Sequence, residues 1–260
     1  MAYQTITAER SGPAFVITLN RPERRNAVSV RMMDEMVAAA LEAERDDGTT
    51  GVVITGGRSY FSAGADLNEA LRASAVADTL AYAGNWRRLN ETLESVGKPV
   101  IAAIEGFCLT GGCELALACD IRVAGEGASF AITSARIGTV PGAGATQRLP
   151  RIVGMAHALD MLFSAEPIDA ERAYRIGLIN RKTAAGEALP EALRMCAVYR
   201  ERAPLSLALI KLAVRRGMEM DLRSAIDFEA TLCASAYTTE DRREGITAFL
   251  ERRAARFRRR

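Results

Sequence analysis

At 260 residues, 49% hydrophobic and 25% charged, the chain can bury a large core and has a globular composition, which excludes a disordered or fibrous protein. A formal net charge of +2 gives no general pull on a polyanion, so nucleic acid is not an expected partner. No apolar run approaches the roughly 18 residues of a membrane span, so no membrane partner is expected either.

The elements follow in chain order. Ala14-Phe15-Val16-Ile17-Thr18-Leu19 reads as a strand, paired with Tyr3 to Thr7 across a turn at Ser11-Gly12-Pro13. Ser29 is placed to N-cap a helix running to about Arg45, with Met32, Met33, Met36, Val37, Ala40 and Leu41 near helical spacing. Val52 to Thr55 is a buried strand ended by Gly56-Gly57, residues 68–95 are mainly helical, and Pro99 to Ile104 is the next strand. A short helix is expected over Gly112 to Ala118, then a strand at Ile121 to Val123 and a glycine-rich loop from Gly138 to Gly144. Beyond Gly154 the periodicity is helical, over 155–163, 170–176, 187–202, 205–216, 222–236 and 240–256. This alternation predicts an α/β core. Pure helix takes over near residue 200, so the chain divides into a core at 1–200 and a helical region at 201–260.

Cys108, Cys113, Cys119, Cys196 and Cys233 form no CxxC pair and leave an odd count, which suits reduced thiols in a cytoplasm. Met1 to Arg10 carry no apolar signal core. A single histidine cannot complete a metal site with these cysteines, so no metal is expected. That histidine, His157, reads as a capped or satisfied structural residue. The end, Arg252 to Arg260, is locally basic and reads as a solvated helix end, with a phosphate contact as the sharper alternative.

Two glycine-flanked segments carry the chemistry. Phe61-Ser62-Ala63-Gly64-Ala65-Asp66 and Leu109-Thr110-Gly111-Gly112-Cys113-Glu114 each follow an apolar strand. Small residues let a ligand approach the backbone, and paired N–H donors suit an oxygen that gains charge during reaction. Glu114 enters an apolar helix, where burial should raise its pKa toward the range useful for proton transfer. There is no Gly-x-Ser-x-Gly and no Gly-Lys-Ser/Thr loop, which leaves a serine hydrolase and a nucleotide-binding loop without support.

These two motifs, with Asn20-Arg21-Pro22 and Gly138-Thr139-Val140-Pro141-Gly142-Ala143-Gly144, resemble the enoyl-CoA hydratase/isomerase (crotonase) superfamily over nearly the whole chain. The resemblance implies a crotonase (ClpP-like) spiral of ββα units with a helical C-terminal trimerisation region, forming trimers or hexamers. It implies Ala65 and Gly111 as oxyanion donors and Glu114 as the catalytic carboxylate, with no cofactor beyond the coenzyme A thioester that is the substrate. Arg24, Arg25, Ala27, Ala63, Asp66 and Leu67 would surround the CoA. Thr133 and Gly142 would line the substrate, and Phe249 and Arg252 would reach a neighbouring subunit's CoA. A typical hydratase carries a second Glu twenty residues after the first, and here that place is Ser134. Addition of water to a 2-enoyl-CoA is the leading expectation. Isomerisation or another acyl-CoA reaction of the family, and a non-catalytic CoA-binding protein, are the alternatives.

Overall fold

The computed structural model describes residues 3–259. Met1 and Ala2 of the N-terminal stretch, and Arg260 of the basic tail, lie outside the described residues.

Strands β1 (Ile6–Ser11) and β2 (Ala14–Leu19) form an antiparallel hairpin. The first strand starts at Ile6, not Tyr3, because the turn is only Gly12-Pro13: Gly12 adopts φ 59° and the ladder runs up to Ser11 opposite Ala14. Helix α1 (Val30–Arg45) begins where expected, with Ser29 Oγ accepting from the Met32 amide at 3.2 Å. Its buried stripe departs from expectation at one place. Leu41 is 39% exposed, and the C-terminal half is buried through Ala39, Ala40 and Ala43.

Then come β3 (Gly51–Thr55), α2 (Leu67–Ala70), α3 (Val76–Ser95), β4 (Val100–Ile104), β5 (Phe107–Leu109), α4 (Gly111–Ala118), β6 (Ile121–Gly125) and β7 (Ser129–Ala131). A 3₁₀ turn at Ser134–Ile137 leads to α5 (Ala145–Val153), α6 (Met155–Ser164), β8 (Ile168–Asp169), α7 (Ala170–Arg175) and β9 (Arg181–Thr183). Helices α8 (Ala188–Arg200), α9 (Pro204–Gly217), α10 (Leu222–Tyr237) and α11 (Glu240–Leu250) complete the chain. The last helix stops before the expected Arg256. Arg252 takes φ 55°, and the Asp241 carboxylate accepts from the Arg258 and Arg259 amides at 2.6 and 2.8 Å, so the tail folds back.

The large sheet runs β1-β2-β3-β4-β6-β9, parallel except for the hairpin, and a small sheet runs β5-β7-β8. Each repeat sends its first strand to the large sheet and its second to the small one, then a helix: β4-β5-α4, then β6-β7-α5. This is the ββα winding of the crotonase fold. Both faces of the large sheet are covered, as parallel strands require. Ile17, Ile54, Ala102 and Ile104 join the core with α1, α3 and α4, while Val16, Val53, Ile101 and Val123 pack on α8.

Helices α9 and α10 bury no residue, so the helical expectation holds there but an intrachain core does not form on them. Helix α9 is tied to the core by charge: Arg215 and Lys211 both engage Asp120, Arg215 at 2.7 Å and Lys211 at 2.8 Å. No helix among the described residues is long and apolar enough to cross a membrane.

Candidate active site

The winding brings the two glycine-flanked segments together. Ser62 and Cys108 form a parallel bridge, the Leu109 amide donates to the Ser62 carbonyl at 2.9 Å, and Val28 bridges Ala65. A Cβ on Gly64 would lie 3.2 Å from the Gly111 nitrogen, and one on Gly111 would lie 3.0 Å from the Ala65 nitrogen. The flanking amides are engaged: Gly64 donates to Ser62 Oγ and Asp66 to the Val28 carbonyl. The amides of Ala65 and Gly111 have no partner among the described residues. Gly111 opens α4, so its N–H is one of the helix's free first donors. It must be glycine: its Cβ would sit 2.8 Å from Trp86 Cη2.

Glu114 lies in the first turn of α4 and is 3% exposed. Its Oε1 accepts from the Ala143 and Ala145 amides at 2.9 and 3.1 Å, while Oε2 has no partner among the described residues. Burial, the largest influence, pushes its pKa up, and the two amides and the Arg148 charge reverse that only in part. The outcome is a carboxylate anchored by one oxygen, with a raised pKa and a free second oxygen.

The turn before α4 is strained. Thr110 adopts φ 45°, ψ −113°, rare for a residue with a side chain. It is held there from both sides. Its amide donates to the Ala131 carbonyl at 2.7 Å, and its hydroxyl meets Thr133 Oγ1 at 2.7 Å. Thr133 thereby brings buried Ser134, at the head of its 3₁₀ turn, to the same end of α4. The Ser134 hydroxyl makes no hydrogen bond among the described residues.

Toward solvent, Arg24 and Asp66 help line an open cleft of ≈ 630 Å³ with Asn68, Glu69, Leu71 and Arg72. Burial raises the Asp66 pKa, but the Arg21 guanidinium, at 3.0 Å, and the Asn68 amide outweigh it and hold the carboxyl below its usual range. Arg24 and Arg25 are exposed and make no ion pair among the described residues, Ala27 and Ala63 are half-buried, and Leu67 is exposed. Gly142 is exposed, with open space where a side chain would point. Phe249 is 83% exposed on α11 and Arg252 is exposed just beyond it. Neither is shown to meet the residues around Glu114. His157 is not the capped or satisfied residue expected: it is exposed on α6 and its imidazole makes no hydrogen bond among the described residues, because Ala158 and Met161 form that helix's buried side. A separate cavity of ≈ 350 Å³ beside Lys98, Pro204 and Phe257 offers no comparable chemistry. The Lys98 ammonium there is already bound by the Ala43 and Asp46 carbonyls.

Sequence reasoning left one wall of the site unread. Tyr82, Trp86, Asn90 and Glu94 recur every fourth residue along one face of α3. Trp86 covers Gly111. Asn90 Nδ2 donates to the Ala143 carbonyl at 2.8 Å, and Glu94 binds Arg148 Nε at 2.6 Å. Arg148 Nη1 donates to the same Ala143 carbonyl at 3.2 Å. Ala143, whose amide clasps Glu114, is therefore itself held twice through its carbonyl. The four-residue spacing was the available signal, hidden by a helix whose mean apolar contrast is weak.

The profile of the enoyl-CoA hydratase/isomerase family matches residues 9–260. The chain is 37% identical to the short-chain-enoyl-CoA hydratase of Clostridium acetobutylicum over 255 residues, 97% of each chain. It is also 37% identical to the crotonyl-CoA hydratase of Syntrophomonas wolfei over 258 residues, 99% of each. The crystal structure of an enoyl-CoA hydratase from Bacillus anthracis superposes with a TM-score of 0.93 at 32% identity, covering 99% of this chain and 100% of that one. With the ββα winding and the two facing segments, these matches make the chain an enzyme of the enoyl-CoA hydratase/isomerase family.

Proposed function

We propose that this enzyme adds water across the double bond of a 2-enoyl-CoA thioester, using Glu114 as its only acid–base group. The observation that carries the reading is the pairing of two partnerless amides, at Ala65 and Gly111, with a buried carboxylate whose Oε2 is free. The two N–H groups receive the thioester oxygen. As the oxygen of water bonds to Cβ, the double-bond electrons move through Cα into that oxygen, giving an enolate. Donors preorganised there are each worth about 3 kcal/mol. Glu114 Oε2 takes the proton that water loses and returns it to Cα as the enolate collapses. One carboxylate thus closes the proton balance, and Ser134 at most orients the water.

The exposed Arg24 and Arg25 suit the CoA phosphates as charge-assisted partners, with Ala27, Ala63, Asp66 and Leu67 along the nucleotide and pantetheine and Thr133 and Gly142 toward the acyl group. No cofactor beyond the thioester is invoked. Residues 1–200 bind and transform substrate, and residues 201–260 assemble a homotrimer, alone or paired into a hexamer. In that assembly Phe249 and Arg252 are presented to a neighbour's CoA. Five free cysteines, four of them buried, are the reason for assigning the enzyme to the cytoplasm.

Isomerisation with Glu114 alone is the second reading, because a single carboxylate also suffices to move a proton between carbons. Turnover of crotonyl-CoA, followed as loss of the conjugated enoyl-thioester absorbance in wild type and Ser134→Glu, separates the two. Hydration by the wild type supports the reading. Activity that emerges only in Ser134→Glu shows a hydratase scaffold turned to another reaction.

A further inference from the structure

Only two buried side-chain polar atoms among the described residues lack any hydrogen-bond partner: Tyr82 Oη and Asn90 Oδ1. Both stand on the α3 face that walls the site, one turn either side of Trp86, the residue that covers Gly111. Native proteins leave few such atoms, and those they leave call for an explanation. Asn90 is accounted for in part, because its Nδ2 holds the Ala143 carbonyl. Tyr82 has no such role. Its ring packs against the core and its hydroxyl is buried.

The Trp86 indole N–H faces the phenol oxygen outside hydrogen-bond geometry. An indole can only donate, so the phenol's own proton would need an acceptor in any case. The carboxylates whose charge reaches Tyr82 are Glu69, Asp66 and Glu114. Each is bound elsewhere: Glu69 to the Val30 amide, Asp66 to Arg21, and Glu114 to the Ala143 and Ala145 amides. Burial above all, and then these charges, hold the phenol above its ordinary pKa, so it stays a proton-bearing donor. The same carboxylates would repel an anionic substituent.

We propose that Tyr82 is a specificity-determining residue whose hydroxyl donates to a neutral oxygen acceptor on the acyl chain, so that the preferred substrate is an oxygenated 2-enoyl-CoA. The inference rests on the 2-enoyl-CoA reading above. A pure hydrocarbon chain would leave the phenol unpaired, and sites built to hydrogen-bond a substrate group discriminate strongly against analogues lacking it.

The test compares trans-2-octenoyl-CoA with its ether isosteres, which carry one oxygen at successive positions beyond the double bond, in wild type and Tyr82→Phe. The readout is the ratio of kcat/KM for the best ether to that for the hydrocarbon. The expected result is a wild-type ratio well above one that falls about 5- to 100-fold in Tyr82→Phe, the effect of one otherwise unpaired buried donor. A wild-type ratio near one for every isostere, or an equal effect of the substitution on ether and hydrocarbon, overturns the proposal. If the wild type hydrates neither, the hydratase reading has failed. The dissociation constants of the saturated octanoyl-CoA and its ether analogues then apply the same ratio to binding alone. Tighter ether binding that Tyr82→Phe abolishes supports the proposal, and equal binding of ether and hydrocarbon by the wild type overturns it.

Discussion

Glu114 is stationed where burial opposes its charge, and that has a consequence for stability as well as reaction. Its pKa in the fold lies above the ordinary 4.5. The native state therefore holds a proton that the unfolded chain has released, and this group's contribution to stability falls as pH rises from the unfolded to the folded pKa. Glu114→Gln keeps an oxygen for the Ala143 and Ala145 amides and removes the charge. Thermal unfolding should show the variant more stable than wild type at pH 8, with the difference shrinking toward pH 4. A difference independent of pH would show that folding leaves the Glu114 pKa unshifted. At this scale the sequence was legible: two glycines before a carboxylate in an apolar helix announced the site. The strain at Thr110 was not legible, because it depends on Ala131 and Thr133, which join the turn only once β7 lies beside β5.

Helix α3 is the element that the sequence described least well. Its length was readable, but its role depends on which face meets α4 and α5, and polar residues on that face masked it. Asn90 and the Glu94–Arg148 pair act on Glu114 through one residue, Ala143, whose carbonyl they hold and whose amide binds the carboxylate. Arg148 lowers the Glu114 pKa through its charge. Arg148→Gln should therefore move the acid limb of the kcat/KM profile to higher pH, both by losing that charge and by loosening the Ala143 peptide. Glu94→Gln should move it the other way, because Arg148 keeps its charge and loses its counterion. Shifts in the same direction would show that the pair acts only through loop position. The short strands β5, β7, β8 and β9 were equally hard to read. Two or three residues cannot display an alternating pattern, and only the winding gives them partners.

Across the whole molecule, the α/β core was legible because its parallel strands are continuous apolar runs covered on both faces. The helical region was legible as helix but not in its packing. Leu222, Phe249 and Leu250 are 77%, 83% and 74% exposed, and α9 and α10 bury nothing. Large apolar side chains left this exposed on neighbouring helices are what an interaction surface presents. Light scattering coupled to size exclusion should give three or six copies of the 28.0 kDa chain, and Leu222→Glu should lower that number. A wild-type monomer would contradict the assembly proposed for residues 201–260. The function proposed for the whole molecule turns on a single carboxylate beside two free amides hydrating an enoyl thioester. Crotonyl-CoA turnover by wild type and Glu114→Gln, with CoA affinity measured alongside, tests it head-on. The expected result is hydration by the wild type and a loss of ~10²–10⁴-fold in the variant at unchanged affinity. No hydration by the wild type, or full activity in the variant, would contradict it.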